Sequence, residues 1–307
     1  MAHEIIFHHY WTSPFSEKVR LVFGIKDIAW KSVEIPNMMP KPDLLPLTGG
    51  YRKTPVMQIG ADIYCDTQII IRELERRFPT PPLFDRDAGL PFGLGFWCDR
   101  IFFMATVGVV FGEIGDSVPE SFRKDRAAMS GGTFSTEALK ANAPFAYDQF
   151  RAHTAFVADQ LADGRAFVRG NAVSMDDLQA HMNFWFLKSA VPHILAKILA
   201  EFPAVTAWYD RVSAFRHGKH TEMAARDALA VAAAATSEAK EKADPNDPTG
   251  LKPGTAVAVS ADDYGRDPIA GDVVFADRHE IAIRRTDKQV GEVVVHFPRA
   301  GFNVVRT

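Results

Sequence analysis

The sequence has few cysteines and no long, uninterrupted apolar segment. Among its 307 residues only Cys65 and Cys98 are cysteine, too few for a disulfide framework and typical of a reducing compartment. No run of about 18 apolar residues is present to span a bilayer. The N-terminus lacks the cationic and apolar regions of a signal peptide. We therefore expect a cytoplasmic protein with no membrane partner.

The chain also lacks a strong excess of charge. Its formal net charge is -3 at pH 7 and its pI is about 6.4, so no global field attracts nucleic acid, and we expect no nucleic-acid partner. His217 and His220 are three residues apart without a third ligand nearby, which disfavours zinc. No metal site is predicted. The 47% hydrophobic and 24% charged content is typical of a globular protein.

The first eighty or so residues alternate between strand and helix patterns. The predicted elements are a strand at 4–11, a helix at 17–25, a strand at 28–35, a hairpin at 54–60 and 61–65, and a helix at 66–78. The order is therefore β-α-β followed by β-β-α.

Strand patterns are missing from about residue 85 to residue 243. Helical periodicity predicts helices at 96–110, 143–161, 175–199 and from 205 through the alanine-rich tract to 235, with a charged, glycine-rich surface loop at 115–135. Ser174 and Asp177 have the spacing of a capping box at the start of the third helix.

A charged and proline-rich linker at 236–250 precedes a different pattern. Five short strands are predicted at 255–260, 272–276, 278–285, 290–297 and 302–306, which favours a small barrel or sandwich. The segments 262–268 and 296–299 combine polar and aromatic residues. They fit either a binding surface or tight turns, and we favour turns. The predicted domains are 1–84, 85–243 and 244–307.

Several motifs are shared with one family. The segment 13-SPFSEKVRLVF-23 is similar to the active-site turn of cytosolic glutathione transferases, with Ser13 where the omega class has cysteine, and to the serine turn of the zeta class. The segment 53-KTPVM-57 matches the strand that carries the family's cis-proline. The pair 66-DT-67 matches the start of its third helix, and 170-GNAVSMDD-177 resembles its helical-domain capping box.

Together these motifs make residues 4–225 resemble the cytosolic glutathione transferase superfamily. The resemblance implies a thioredoxin-like α/β N-terminal domain (1–84) and an all-α domain (85–243). The small all-β, barrel-like domain (244–307) lies outside it. Glutathione is the implied co-substrate, and a homodimer is the implied assembly.

The resemblance assigns Ser13 to the thiolate of glutathione. A free thiol has a pKa of about 8.5, and a hydroxyl donor at a helix N-terminus favours the thiolate. The alternative is that Ser13 only caps the helix. Tyr10, just before the turn, is the second choice for the donor.

The same resemblance implies the residues that bind glutathione. Pro55 would be cis and would turn the main chain of Thr54 toward the tripeptide as an added strand. Thr67 would hold the γ-glutamyl carboxylate and Asp66 the ammonium group. Lys53 would meet the glycyl carboxylate. The alternatives are an ordinary trans-proline, helix capping alone for Asp66 and Thr67, and a solvated surface lysine.

Aromatic residues near the turn and in the first helix of the second domain suggest an apolar pocket. Phe15, Phe96 and Phe103 are the candidates to contact an electrophile, with helical core packing as the alternative. Serine cannot form a mixed disulfide, so conjugation, dehalogenation or isomerisation is expected. The competing function is a non-catalytic dimerisation or interaction module whose 251–307 segment binds a partner.

Overall fold

The computed structural model describes residues 4–84, 89–132 and 134–307. Within these residues the strands are β1 (Ile5–His9), β2 (Ala29–Glu34), β3 (Val56–Ile59), β4 (Asp62–Cys65), β5 (Lys219–Glu222), β6 (Ala256–Ala261), β7 (Ile269–Ala276), β8 (Glu280–Asp287), β9 (Gly291–Pro298) and β10 (Phe302–Arg306). The helices are α1 (Pro14–Ile25), α2 (Leu45–Thr48), α3 (Thr67–Arg77), α4 (Gly89–Phe96), α5 (Phe103–Ile114), α6 (Glu120–Ser130), α7 (Thr136–Gln160), α8 (Met175–Ala190), α9 (Pro192–Leu199), α10 (Pro203–Ser213) and α11 (Ala225–Ala234). A π-helical turn (Trp97–Phe102) joins α4 to α5.

The N-terminal strands and helices occur in the predicted order. β1 runs parallel to β2 and antiparallel to β3, and all of its residues are buried. Side chains alternate across a strand, so Ile5 and Phe7 lie in a core shared with the helical domain, whereas Ile6 lies in a second core on the opposite face. This burial on both faces explains the continuous apolar run at the start of the chain.

The helix predicted over 175–199 is wrong in its continuity. α8 ends at Ala190 and α9 begins at Pro192, with Val191 between them at φ -139°. Proline has no N–H to donate, and its ring clashes with the preceding turn of a helix. Apolar periodicity gives no sign of the break, because both helices bury apolar residues in the same core.

The helix predicted over 205–235 is also wrong, because a strand interrupts it. β5 lies between α10 and α11 and pairs in parallel with β2 at the edge of the sheet. Gly218 allows the chain to reverse before β5: its φ is +67°, and a Cβ there would lie 2.5 Å from the carbonyl oxygen of Ile28. Only glycine adopts this conformation at such a close approach.

The surface loop predicted over 115–135 is wrong as well, since it contains α6. None of the residues of α6 is buried. A helix without a buried face has no clear apolar stripe, so periodicity gives little indication of it.

The five C-terminal strands are confirmed, and they extend the N-terminal sheet. The strand order is β10-β6-β7-β8-β9-β4-β3-β1-β2-β5. β9 runs parallel to β4, with Ile63 opposite Val295. Both residues belong to the second core, which also contains α11. Backbone pairing and a common core therefore attach β6–β10 to the N-terminal domain.

A buried ionic cluster lies at the β4–β9 junction. The Nε2 atom of His296 lies 3.0 Å from Oδ1 of Asp62, and its Nδ1 atom lies 2.6 Å from Oε1 of Glu280. Burial alone would lower the pKa of His296, but the two carboxylates raise it to about 9. The imidazole is therefore a cation at neutral pH and links three strands.

The continuous helical segment Gly89–Ser117 is long and apolar enough, by length and composition, to cross a membrane, and 44% of its apolar window is buried. Its second half, α5, packs mainly against α7 and also against α8. The segment thus has the position of a core helix in the all-α domain.

Candidate active site

The turn between β1 and α1 places Ser13 at the helix N-terminus. Its Oγ atom accepts the N–H of Ser16 at 3.1 Å, and Pro14 occupies the first turn. The predicted cap is therefore confirmed. A hydroxyl that accepts one hydrogen bond still has its own hydrogen to donate, so the cap is compatible with donation to a thiolate. Ser13 is only 1% exposed.

A buried ion pair fixes the chain that leads into this turn. The guanidinium of Arg20 donates to the carbonyl oxygen of Trp11 at 3.0 Å and to the Glu17 carboxylate at 2.7 and 3.0 Å. Glu17 also lies 2.9 Å from Nε2 of His217. Burial would raise the pKa of Glu17, but hydrogen bonds from His217 and Arg20 lower it. These contacts hold the backbone two residues before Ser13.

Tyr10, the second candidate donor, lies beside Ser13. The N–H of Ser13 donates to the main-chain carbonyl oxygen of Tyr10 at 3.1 Å. Burial raises the pKa of Tyr10, with Arg126 opposing the shift, so the phenol is neutral at neutral pH. Both candidate donors thus belong to the same turn, in which Ser13 is buried and Tyr10 is half-buried.

The segment that leads directly into β3 carries the predicted cis-proline. The Thr54–Pro55 peptide bond is cis, as the resemblance implies. Lys41 supports this segment: its Nζ atom donates to Oγ1 of Thr54 and to the carbonyl oxygen of Arg52, both at 2.9 Å. Lys41 is 4% exposed, and burial, with nearby arginines, lowers its pKa to about 7.

The start of α3 has an unusual backbone. Asp66 caps the helix through Oδ1, which accepts the N–H of Gln68 at 2.8 Å, and its φ is +91°. A non-glycine residue in this region is strained, and such strain clusters at functional sites. Burial raises the pKa of Asp66 to about 6, although the Gln68 N–H and Lys53 oppose the shift. Thr67, 5% exposed, is the first residue of the helix.

Lys53 is not a solvated surface lysine. Its ammonium group forms an ion pair with Asp263, and Nζ lies 4.2 Å from the centroid of the Tyr264 ring. Both partners come from the connection between β6 and β7. The C-terminal strands therefore deliver side chains to the N-terminal domain's predicted site.

One small cavity collects most of the predicted residues. Its volume is about 60 Å³. The predicted residues on its wall are Phe15, Lys53, Thr54, Pro55, Asp66, Thr67 and Phe96. Ser13, Tyr10 and Phe103 are not on the wall. Phe103 nevertheless contacts Phe15, with 4.8 Å between ring centroids, so the aromatic candidates form one group beside the cavity.

Two parts of this region are not predicted from the sequence. Lys41 lies in a proline-rich loop without periodicity, and only the fold brings it to Thr54. The 262–268 segment was assigned to tight turns, but Asp263 and Tyr264 line the cavity. Its mixture of acidic and aromatic residues was the available signal.

Metal and thiol chemistry have no evident site in residues 4–84, 89–132 and 134–307. No group of three or more histidine, cysteine or acidic side chains is arranged there to hold a metal. Cys65 and Cys98 are both buried, and burial raises the pKa of each thiol well above its ordinary value. Such thiols are poor nucleophiles.

Comparison with known proteins gives matches to two domain families. The glutathione S-transferase N-terminal domain family matches residues 7–82, and a domain family of unknown function matches residues 117–220. The curated protein glutathione S-transferase U4 from Arabidopsis thaliana is 24% identical over 78 residues, which is 25% of this chain and 35% of that protein. The chain thus matches about a third of that relative's length.

Solved structures extend the comparison to the whole chain. A GST-like protein from Pseudomonas syringae is 37% identical, with a TM-score of 0.80 and 100% of both chains covered. A Tau class glutathione S-transferase from mango is 19% identical, with a TM-score of 0.52 over 69% of this chain and 89% of that one. The mango protein shows a common fold. The Pseudomonas protein also matches the region of β6–β10.

Proposed function

The chain belongs to the glutathione S-transferase superfamily, and we propose on this basis that it is a glutathione transferase whose Ser13 stabilises the glutathione thiolate for attack on a small apolar electrophile. The observation that carries the proposal is the spatial arrangement at one end of the sheet. Phe15, two residues after Ser13, lines one cavity together with cis-Pro55 and the Asp66–Thr67 helix start.

The turn supplies the means to stabilise a thiolate. The N-terminus of α1 carries a partial positive charge that favours an anion. Ser13, held there by its bond from the Ser16 N–H, has a hydrogen to donate to the sulfur. The thiol proton leaves to solvent, and the sulfur lone pair then forms a bond to the electrophilic carbon. In a substitution, the leaving group departs with the electron pair of its bond to that carbon.

The remaining groups suit the two ends of glutathione. The γ-glutamyl carboxylate would accept from Thr67 at the start of α3, and the ammonium group would pair with Asp66. The peptide would add to the main chain of Thr54 as a strand. The glycyl carboxylate would lie near Lys53, with Lys41 behind Thr54.

The electrophile would lie against Phe15, Phe96 and Phe103. A serine at this turn favours conjugation, dehalogenation or isomerisation, because a hydroxyl cannot form a mixed disulfide. We also propose a two-fold symmetric homodimer in the cytoplasm. A purely non-catalytic module has no observation in its favour comparable to the arrangement of these residues.

The proposal is tested by comparing Ser13→Ala with Ser16→Ala in conjugation of glutathione to an electrophilic aryl halide. Ser16 is equally buried, and its Oγ atom has no hydrogen-bond partner among the described residues, so its removal controls for the loss of a hydroxyl. We expect Ser13→Ala to lower kcat/KM by about 100-fold, the scale for a lost donor to a developing or stabilised anion. Equal activity of the two variants would contradict the role of Ser13.

A further inference from the structure

The connection between β6 and β7 crosses the candidate site. Asp263 pairs with Lys53 of the N-terminal domain, and Tyr264 lies against the same ammonium group. The side chains of Lys53 and Asp263 are only 12% and 25% exposed. The pair is therefore part of the packed structure over the cavity.

The same connection is also attached to the all-α domain. Asp262 forms an ion pair with Arg100 at 2.5 Å, and the N–H of Gly265 donates to the carbonyl oxygen of Met129 at 2.8 Å. The 262–268 segment thus joins the two walls between which a ligand would enter. Only one of these attachments, the Gly265 bond, is a main-chain hydrogen bond.

Both cations on the cavity wall pair with the 262–268 segment, and Asp66 and Asp99 place further carboxylates on that wall. Lys53 and Arg100 both line the cavity, and each is paired with one of two successive aspartates, Asp263 and Asp262. The loop therefore places carboxylates on the cations that an anionic ligand would use. A ligand carboxylate that pairs with the Lys53 ammonium group would therefore compete with Asp263 for it.

The volume of the cavity leads to the same conclusion. It is about 60 Å³, whereas sites for small-molecule ligands are typically about 300–1,000 Å³. A tripeptide is larger than this volume, so its binding involves contact with, or displacement of, the wall formed by residues 262–268. The segment 262–268 is attached to Lys53 and Arg100 by ion pairs that a ligand carboxylate can replace, whereas another part of the wall is formed by the start of α3 and the end of α4.

We propose that residues 262–268 form a lid over the glutathione site, and that Asp263 tunes ligand specificity because the ligand's glycyl carboxylate has to displace it from Lys53. This inference rests on the proposed function, since it names a regulation of the same site. Opening the lid replaces one carboxylate on Lys53 with another and enlarges the cavity.

The test is isothermal calorimetry of the full chain with glutathione and with its glycyl monoethyl ester. The variant is Asp263→Asn, and the matched control is Asp267→Asn, which removes the same charge from an exposed position of the same loop. We expect Asp263→Asn to lower the Kd of glutathione by about 2- to 5-fold, the scale of one partly exposed ion pair. The affinity for the ester, which lacks the competing charge, should increase less than 2-fold in Asp263→Asn. The Asp267→Asn control should leave the Kd values of both ligands unchanged.

Hydrogen exchange supplies a readout that needs no ligand. In the free protein, Asp263→Asn should speed exchange of the Gly265 amide by several-fold relative to wild type, because the lid loses one of its attachments. Added glutathione should speed the same amide in the wild-type protein. Unchanged exchange in either experiment would overturn the lid.

The outcomes separate the two proposals. If glutathione binds wild type and Asp263→Asn with the same Kd, the lid is overturned and the proposed function stands. If Asp263→Asn improves glutathione and its ester equally, competition for Lys53 is overturned. If neither protein binds glutathione, the proposed function fails, and the lid as a regulator of that site fails with it.

Discussion

The ionic cluster at the β4–β9 junction predicts a loss of stability at alkaline pH. His296 lies between Asp62 and Glu280 and is 5% exposed. The two carboxylates hold its pKa at about 9, against 6.5 for an unperturbed histidine. Raising the pH from 6 to 10 is the perturbation, because it removes the proton that makes the imidazole a cation.

The magnitude follows from the linkage between protonation and folding. A pKa raised from 6.5 to about 9 is a shift of about 2.5 units, and each unit corresponds to about 1.4 kcal/mol, so the cluster contributes about 3 kcal/mol. Because the folded pKa of His296 is the higher one, this stability is fully present below pH 6.5 and is lost as the pH rises through 9. Asp62 acts oppositely: its pKa is lowered by His296 and Ser237 despite burial, so its contribution is lost on acidification.

Urea unfolding at several pH values is the assay. Lys41, whose pKa is lowered to about 7, changes stability in the opposite direction over this range, so the quantity compared is the difference in unfolding free energy between wild type and His296→Gln. This difference should fall by about 3 kcal/mol between pH 6 and pH 10. His279→Gln is the control, since His279 is an exposed histidine in the turn before β8. Parallel pH profiles for wild type and His296→Gln would refute the reasoning.

Three further predictions concern the site and the helical domain. Lys41→Met should abolish the uptake of most of a proton when S-methylglutathione, which has no thiol proton to release, binds at pH 8, because a bound carboxylate would raise the lowered pKa of Lys41; binding enthalpies of this analogue that do not vary between buffers in the wild type would contradict this. Thr67→Ala should weaken glutathione binding by about 2- to 10-fold through loss of one hydrogen bond, while the free energy of unfolding in urea stays nearly unchanged. An unchanged Kd would show that the Thr67 hydroxyl does not bind glutathione. Asp177→Ala should lower the free energy of unfolding in urea by about 3–5 kcal/mol. The indole N–H of Trp208 and the main-chain N–H of Ser174, which lie 2.7 and 2.8 Å from the Asp177 carboxylate, would lose their buried acceptor. A loss below about 1 kcal/mol would show that water replaces the carboxylate.

The elements of the first domain could be predicted because their local signals agree. The β1 segment is strongly apolar, and Ser13 with Pro14 marks the start of α1 as a cap and a first-turn proline do generally. The five C-terminal strands were likewise predictable, from short apolar segments separated by turns. Their junction with β4 was not, because strand partners are set by packing between distant residues such as Ile63 and Val295.

Helix continuity was the least predictable feature. Val191–Pro192 and the chain around Gly218 contain breaking residues, but the surrounding apolar periodicity indicates a single helix in each case. The positions of both breaks depend on packing against neighbouring helices and, for the second break, on the pairing of β5 with β2. α6 shows the opposite error, because an exposed helix rich in charge has the composition of a loop.

The candidate site was predictable only where short motifs carry the chemistry. Pro55 and Asp66 belong to such motifs, and the structure shows a cis bond at the first and a strained cap at the second. Lys41 has no local signal, since a lysine in a loop is ordinarily solvated, and the acidic and aromatic residues around Asp263 fit tight turns as well as a binding surface. Their roles come from tertiary contacts that bring them to Thr54 and Lys53.

The most direct measurement is an ultraviolet difference titration of glutathione bound to the protein, which follows thiolate absorbance against pH. Wild type and Ser16→Ala should form the bound thiolate well below the free thiol pKa of about 8.5, and Ser13→Ala should shift its formation upward by about one unit or more. Glutathione that binds with an unshifted thiol pKa, or a shift that persists in Ser13→Ala, would contradict the claim that Ser13 activates the thiol.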